Sequence, residues 1–268
     1  MDLHNRSIVL TGAAGGIGRS LALQLAGQAA RLTLVGRRAE ALEEIAALVR
    51  ERGGQAHVVA ADLTEPGVPA AVIGAAQEQF GGIDVLVNNA GNVRAGRLEV
   101  IDEGEVTAQI ALNLTAPILL TRAALPALRA SGDGLVVNIS SGIGLVALPF
   151  YTTYAATKAG IAHFGDALRR ELYGEGVHVL NVFPGATSTP MMDSSQAGPE
   201  HGFSYEDPDE VATATVAGMV DGSLTMVRGG ERRRQMIDAS RTDPASVDRQ
   251  LAERKAELEK AVAGHSSL

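Results

Sequence analysis

The sequence predicts an α/β fold: a doubly wound parallel sheet of seven strands with helices on both faces. Three observations carry that expectation. Short β-branched runs alternate with longer Ala/Leu/Glu-rich stretches along the chain. The short runs lack strict polar alternation, as strands covered on both faces do. A chain of 268 residues with 46% hydrophobic and 20% charged residues is long and apolar enough for one sizeable core.

The strand-like runs are 7–11, 31–35, 56–60, 83–88, 134–140, 177–183 and 224–228. A helix starts near Gly16, and the next, 40–52, places Leu42, Ile45, Ala46 and Val49 on one face before the stop signal Gly53-Gly54. Further helical stretches are 66–80, 105–130, 152–173, 207–221 and 246–263, with Pro117 and Pro126 expected to interrupt or bend the longest. Strand and helix in alternation imply right-handed crossovers. Residues 1–268 read as one domain. Within it, 190–206 is a Gly/Ser/Pro-containing loop suited to closing over a substrate, and 229–268 is a charged helical extension with a loose end at 264–268.

Composition excludes several classes. Without cysteine there is no disulfide scaffold and no thiolate metal site, and no metal centre is expected. A net charge of −8 disfavours nucleic acid as a partner. The one basic cluster, Arg232, Arg233 and Arg234, reads as solvated surface. No run reaches the ~18–20 uninterrupted apolar residues of a membrane span. Residues 1–7 lack the features of a secretory signal, so a soluble, cytoplasmic protein is expected.

The first strand runs into Thr11-Gly12-Ala13-Ala14-Gly15-Gly16-Ile17-Gly18 and then a helix. Glycines let a backbone approach a pyrophosphate, and a helix start points free N–H groups and its positive dipole end at that anion. This is the turn of a Rossmann-type dinucleotide fold, although Gly12, Gly15, Gly16 and Gly18 fit two glycine spacings equally well. The second strand ends in Gly36-Arg37-Arg38 with no acid at the junction. Arg37 and Arg38 therefore favour the 2′-phosphate of NADP(H), with NAD(H) the alternative. Asp62 and Leu63 after the third strand sit where an adenine would lie, with helix capping the competing role for Asp62. Asn88-Asn89-Ala90-Gly91 ends the fourth strand with amides that can bridge backbone and a glycine that leaves room for a cofactor.

Tyr154 and Lys158 are four residues apart on one helix face. A nearby ammonium is expected to lower a phenol's pKa toward a working range. Ser141, at the end of the fifth strand, is placed to hydrogen-bond a substrate oxygen; neighbouring Ser140 faces the other way. His163 lies five residues past Lys158, faces elsewhere on the helix and reads as structural.

With these motifs in this order, the chain resembles the compact single-domain branch of the short-chain dehydrogenase/reductase family over residues 5–228. The resemblance implies Tyr154 as general acid/base, Lys158 on the nicotinamide ribose, Ser141 orienting the reacting oxygen and Asn113 completing a proton relay. It assigns Gly12, Gly15, Gly16, Ile17, Gly18, Asn89, Ala90, Gly91, Pro184, Gly185, Thr187 and Thr189 to cofactor binding, with Val182 a weaker candidate. It also implies a homodimer or homotetramer, with helices 105–130 and 152–173 at the dimer contact.

Substrate contacts are expected from Ser141, Tyr151, Met191 and Met192, in a pocket also lined by Leu145, Val146, Leu148, Phe150 and Phe203. The resulting expectation is an NADP-dependent carbonyl reductase or secondary-alcohol dehydrogenase acting on a mostly apolar small molecule. Two competing readings are a catalytically silent cofactor-binding sensor or scaffold, and an epimerase or dehydratase relative. An intact Asn113, Ser141, Tyr154 and Lys158 set argues against the first. The 40 residues after 228 are too few for the substrate domain of the second.

Overall fold

A computed structural model describes residues 1–268. Its seven-stranded sheet runs in the order β3-β2-β1-β4-β5-β6-β9, every pair parallel. The strands are β1 (Ser7–Thr11), β2 (Arg31–Gly36), β3 (Gln55–Ala60), β4 (Val85–Asn88), β5 (Gly134–Ile139), β6 (Val177–Phe183) and β9 (Thr225–Val227). Each matches one of the seven expected runs within two residues at either end. The order reverses between β1 and β4, and the crevice beyond their carboxyl ends is where such sheets bind ligands.

Helices cover both faces. On one, α1 (Gly16–Ala26), α2 (Ala39–Glu51) and α7 (Pro208–Asp221) bury Leu21, Leu42 and Ala212 with Ile8 and Leu10 of β1. On the other, α3 (Val68–Phe80), α5 (Ala116–Ala130) and α6 (Thr152–Glu171) bury Val72, Leu120 and Leu168 with Val9. Residues 8, 9 and 10 thus alternate between two cores, which is why the strand shows no polar alternation.

The helix expected over 105–130 runs unbroken from Glu103 to Ala130. It consists of α4 (Glu103–Ile110), a π-helical turn (Ala111–Thr115) and α5. Neither proline breaks it: Pro117 follows directly on the π-helical turn, where the hydrogen-bond ladder already shifts, and Pro126 lies inside α5. By length and composition this helix could cross a membrane, with a mean hydropathy of 1.4 over its most apolar window. Counting only uninterrupted apolar runs overlooks it, because polar residues such as Asn113 and Thr115 punctuate the stretch. In this fold Ala116, Leu120, Ala124 and Leu128 pack it on the sheet.

The C-terminal extension differs most from expectation. It forms three helices, α8 (Gly230–Thr242), α9 (Pro244–Ala252) and α10 (Lys255–Val262), where one was expected over 246–263. Pro244 starts α9 with Asp243 as its side-chain cap, which separates it from α8. The end of the chain is tied down rather than loose. Arg94 and Ser266 form an antiparallel bridge, and the Ala95 N–H donates to the His265 carbonyl at 2.9 Å. Leu258, Ala261 and Val262 of α10 complete a third apolar cluster with Val93, Phe150, Tyr151, Ala197 and Phe203. A two-stranded ribbon, β7 (Ala186–Thr187) with β8 (Tyr205–Glu206), closes the 190–206 loop at its base.

Candidate active site

One cavity of about 730 Å³ opens at the carboxyl edge of the sheet. Its first end is the β1–α1 turn. Gly12 and Gly16 have φ of +66° and +53°, conformations that favour glycine. A Cβ on Gly18 would overlap the Gly12 carbonyl oxygen, so this glycine packs the turn and does not line the cavity. Gly15 has open space where a Cβ would stand, and it precedes α1, whose N-terminus has no side-chain cap. Gly12, Gly15, Gly16 and Ile17 line the cavity there. Uncapped N–H groups facing an open, glycine-lined hollow fit a dinucleotide pyrophosphate.

Asn89 braces this turn from β4, donating from Nδ2 to the Thr11 and Gly12 carbonyls at 2.9 and 3.2 Å. The Thr11 hydroxyl accepts from the Asn89 and Ala90 amides, both at 3.0 Å. Asn88 points the other way, into a buried amide ladder with Asn138 and Asn181. Sequence reasoning missed that ladder, whose members lie 50 and 43 residues apart.

The second strand places Arg38 on the cavity wall while Arg37 stands exposed outside it. Asp62 and Leu63 do not line the cavity either. Asp62 accepts from the Thr64 N–H and hydroxyl at 2.9 and 2.7 Å, which holds its carboxyl below the usual range. It makes a local turn, whereas capping of the following helix was the competing expectation. The Leu63 side chain is spent on the core beneath α3.

The other end of the cavity holds Ser141, Tyr154 and Lys158. One turn of α6 separates Tyr154 from Lys158, and the Lys158 Nζ stands 5.7 Å from the Tyr154 ring centre. Lys158 is buried and donates to the Ile139 carbonyl at 3.0 Å. That burial lowers its ammonium to about 8. Tyr154 sits deep in the cavity, where desolvation pushes its phenol up to about 12 against an opposing hydrogen bond from Ser141. The direction is opposite to the expected lowering: desolvation dominates, and Lys158 directs its proton to a backbone carbonyl. Ser140 lines the cavity too, but its hydroxyl is committed to the Lys158 carbonyl at 2.7 Å.

Asn113 lies in the π-helical turn, buried behind the cavity wall. Its Nδ2 donates to the Asn92 carbonyl at 2.8 Å and its Oδ1 accepts from the Asn92 amide at 2.9 Å. Turns of this kind are often placed at functional positions. Gly91 fills the gap: a Cβ there would lie 3.1 Å from the Asn113 Oδ1 and 3.3 Å from the Lys158 Nζ. Pro184, Gly185, Thr187 and Thr189 line the cavity between its two ends, whereas Val182 is core.

A model of the short chain dehydrogenase family matches residues 6–200. The chain belongs to the short-chain dehydrogenase/reductase family. With membership come a dehydrogenase/reductase activity and a nicotinamide cofactor, NAD(H) or NADP(H). Among its relatives, the ketoacyl reductase HetN of Nostoc sp. is 32% identical over 92% of this chain and 88% of its own. The oxidoreductase UcpA of Escherichia coli is 36% identical over 79% of both chains. The dehydrogenase/reductase SDR family member 7B of Bos taurus is 39% identical over 70% of this chain, which spans 59% of that protein.

Of the substrate-pocket residues expected from sequence, Val146, Leu148, Tyr151, Met191, Met192 and Phe203 line the cavity, and Leu145 and Phe150 do not. Phe150 turns away on a left-handed backbone, φ +70°, and packs under the C-terminal helix. His163 is exposed on α6, away from the site.

Sequence reasoning missed the contribution of the tail. Arg232, Arg233, Arg254 and His265 all line the cavity, so the arginine cluster is only in part the solvated surface expected of it. Arg232 and Arg234 are exposed, Arg234 paired with Glu231 at 3.1 Å, and Arg233 is the half-buried member. His265 is buried, with the Ser194 hydroxyl 3.1 Å from its Nδ1, and its Nε2 has no partner. The Tyr151 hydroxyl beside it is likewise buried and unpartnered. No local signal placed these groups, because they reach the site from the far end of the chain.

Proposed function

We propose that the protein is an NADP(H)-dependent oxidoreductase that interconverts a ketone and a secondary alcohol. The observation that carries this reading is the continuity of one cavity from the glycine turn and Arg38 to Ser141, Tyr154 and Lys158. The coenzyme preference rests on Arg38, an exposed cation on the wall where a 2′-phosphate would be read, and on the absence of an acid ending β2.

When bound, the nicotinamide dinucleotide supplies or accepts the hydride. The chain supplies the proton and the geometry. In the reductive direction the Tyr154 hydroxyl gives its proton to the substrate oxygen, and in the oxidative direction the phenolate takes it back. Ser141 holds the same oxygen by hydrogen bond and so stabilises the charge that develops on it. Lys158 stands 5.7 Å from the Tyr154 ring centre, where its ammonium would hold the nicotinamide ribose against the reacting oxygen. Asn113 and the Lys158 ammonium both close on Gly91, so the Asn113 side chain can hold a water that relays the proton.

Leu148, Met191, Met192 and Phe203 make the substrate wall mostly apolar. One relative of this size, from Mycolicibacterium smegmatis, is named D-threitol dehydrogenase, 30% identical over 85% of this chain and 93% of its own. Oxidation of a secondary alcohol therefore belongs to the same reading. A cytoplasmic location and a homodimer or homotetramer complete it. The partly exposed Ile110 and Leu119 on the 103–130 helix support the assembly.

Titration of NADPH and NADH into the purified protein, followed by turnover of a ketone panel, tests the proposal. NADPH should bind at least about tenfold more tightly, a difference one charge-assisted phosphate contact can supply. A preference for NADH would overturn the coenzyme assignment. Binding without turnover of any ketone or secondary alcohol would overturn the reaction.

A further inference from the structure

We propose that the substrate carries an anionic group, a carboxylate or phosphate, and that Arg233 anchors it beside the reacting carbon. The inference deepens the carbonyl/alcohol reading and rests on it for the word substrate. It stands on the distribution of charge in the cavity. Although the chain carries a net charge of −8, Glu206 is the only carboxylate residue on the cavity wall. Glu206 is already spent: it accepts from the Arg228 Nε at 2.6 Å and from the Gly185 amide at 3.0 Å.

Against it stand Arg232, Arg233 and Arg254, none with a carboxylate within 4.0 Å. Arg254 donates only to the Glu200 carbonyl, at 3.3 Å, and neither Arg232 nor Arg233 makes a side-chain hydrogen bond. Arg233 is the innermost of the three. Its guanidinium lies against Gly142, the residue after Ser141, so closely that any Cβ at 142 would overlap its Nη1. Desolvation lowers its pKa, opposed by the charge of Glu206, which acts on it without a direct ion pair.

A half-buried cation without a direct ion pair invites an anion, and the planar fork of arginine matches carboxylate and phosphate oxygens. The pyrophosphate cradle at Gly15–Ile17 belongs to the opposite end of the cavity, whereas Arg233 adjoins the catalytic serine. Val146, Leu148 and Met236 add apolar wall to the same cavity. The shape is that of a site for an apolar body with one charged end.

The test uses three probes on protein saturated with the reduced form of its preferred dinucleotide, which leaves an alcohol no hydride acceptor: hexanoate, hexyl phosphate and hexan-1-ol, titrated calorimetrically at low ionic strength. At least one anion should bind about tenfold or more tightly than the alcohol, the difference expected of a charge-assisted pair. Which anion binds better separates carboxylate from phosphate. Arg233→Met should abolish the preference, Arg233→Lys should keep part of it, and Arg234→Met, at an exposed residue outside the cavity, should leave it unchanged. Equal binding of anions and alcohol by the wild-type protein would overturn the proposal. So would an Arg233→Met variant, folded by its thermal transition, that weakens dinucleotide binding and leaves hexanoate and hexyl phosphate untouched. Intact anion binding with no turnover of any carbonyl would sink the reaction reading alone.

Discussion

Tyr154 shows how a single side chain is prepared by its surroundings. Its phenol is held protonated up to about 12 by desolvation, so at neutral pH it stands ready as an acid, with Ser141 positioned to stabilise the anion it leaves. Removing the hydroxyl in Tyr154→Phe should lower kcat by about 10² or more, the range typical of positioned acid–base groups. Dinucleotide affinity should stay within about twofold, since the ring and Lys158 remain. Stopped-flow turnover alongside a fluorescence titration checks both halves. His265 gives a second prediction, on stability. Its folded pKa is depressed to about 4, from an ordinary 6.5, chiefly by burial and next by Arg94. Between those values the unfolded chain binds a proton that the native protein refuses, so stability falls as pH drops from about 6.5 to 4. Thermal melts of wild type and His265→Asn across that window should show a flatter pH slope in the variant. Equal slopes would mean that His265 is not buried as a neutral ring.

On the scale of elements, the β1–α1 turn separates packing from binding. Gly18→Ala places a methyl on the Gly12 carbonyl and should cost about 1–3 kcal/mol of stability, the range for overpacking a tight site. Gly15→Ala meets no protein atom within 4 Å and should leave the melting temperature unchanged. Its methyl projects into open space at the pyrophosphate cradle, so dinucleotide affinity should fall tenfold or more, by about 1.4 kcal/mol. A melt and a titration on each variant separate the two roles, and identical behaviour would refute the distinction. The glycine turn, the asparagines after β4 and the Tyr154/Lys158 pair were all legible in sequence, because each is a local pattern set by backbone geometry or helical period. That Asp62 and Leu63 lie off the cavity wall was not legible, because a position after β3 says nothing about which way the chain then turns.

For the whole molecule, the tail is what converts an open crevice into a walled cavity. Residues 264–268 return to the strand-like segment 93–95, where the Ser267 amide donates to the Val93 carbonyl at 2.9 Å and the Ser267 hydroxyl accepts from the Val93 amide at 3.0 Å. Deleting 264–268 should accelerate hydrogen exchange at the Val93 and Ala95 amides and leave β1 and β4 protected, since local openings cost less than global unfolding. The same deletion should raise KM more than it lowers kcat, because it removes pocket wall but no group of the catalytic set. Unchanged exchange at Val93 and Ala95 would show that the tail does not dock in solution.

The sequence by itself determined the parallel sheet, its helical cover, the glycine turn and the pairing of Tyr154 with Lys158. Each of these rests on short-range chemistry: doubly buried strands must be apolar, a phosphate cradle needs glycine, and a residue and its fourth neighbour share a helix face. Only the tertiary structure decided which of Arg37 and Arg38 faces the cavity, which way Tyr154 is shifted, and where Arg232, Arg233 and His265 end up. Those outcomes depend on burial and on contacts spanning most of the chain, such as the 174 positions from Val93 to Ser267. Helical period says which residues share a face, but the partner that covers the face is chosen by how the whole chain closes on itself.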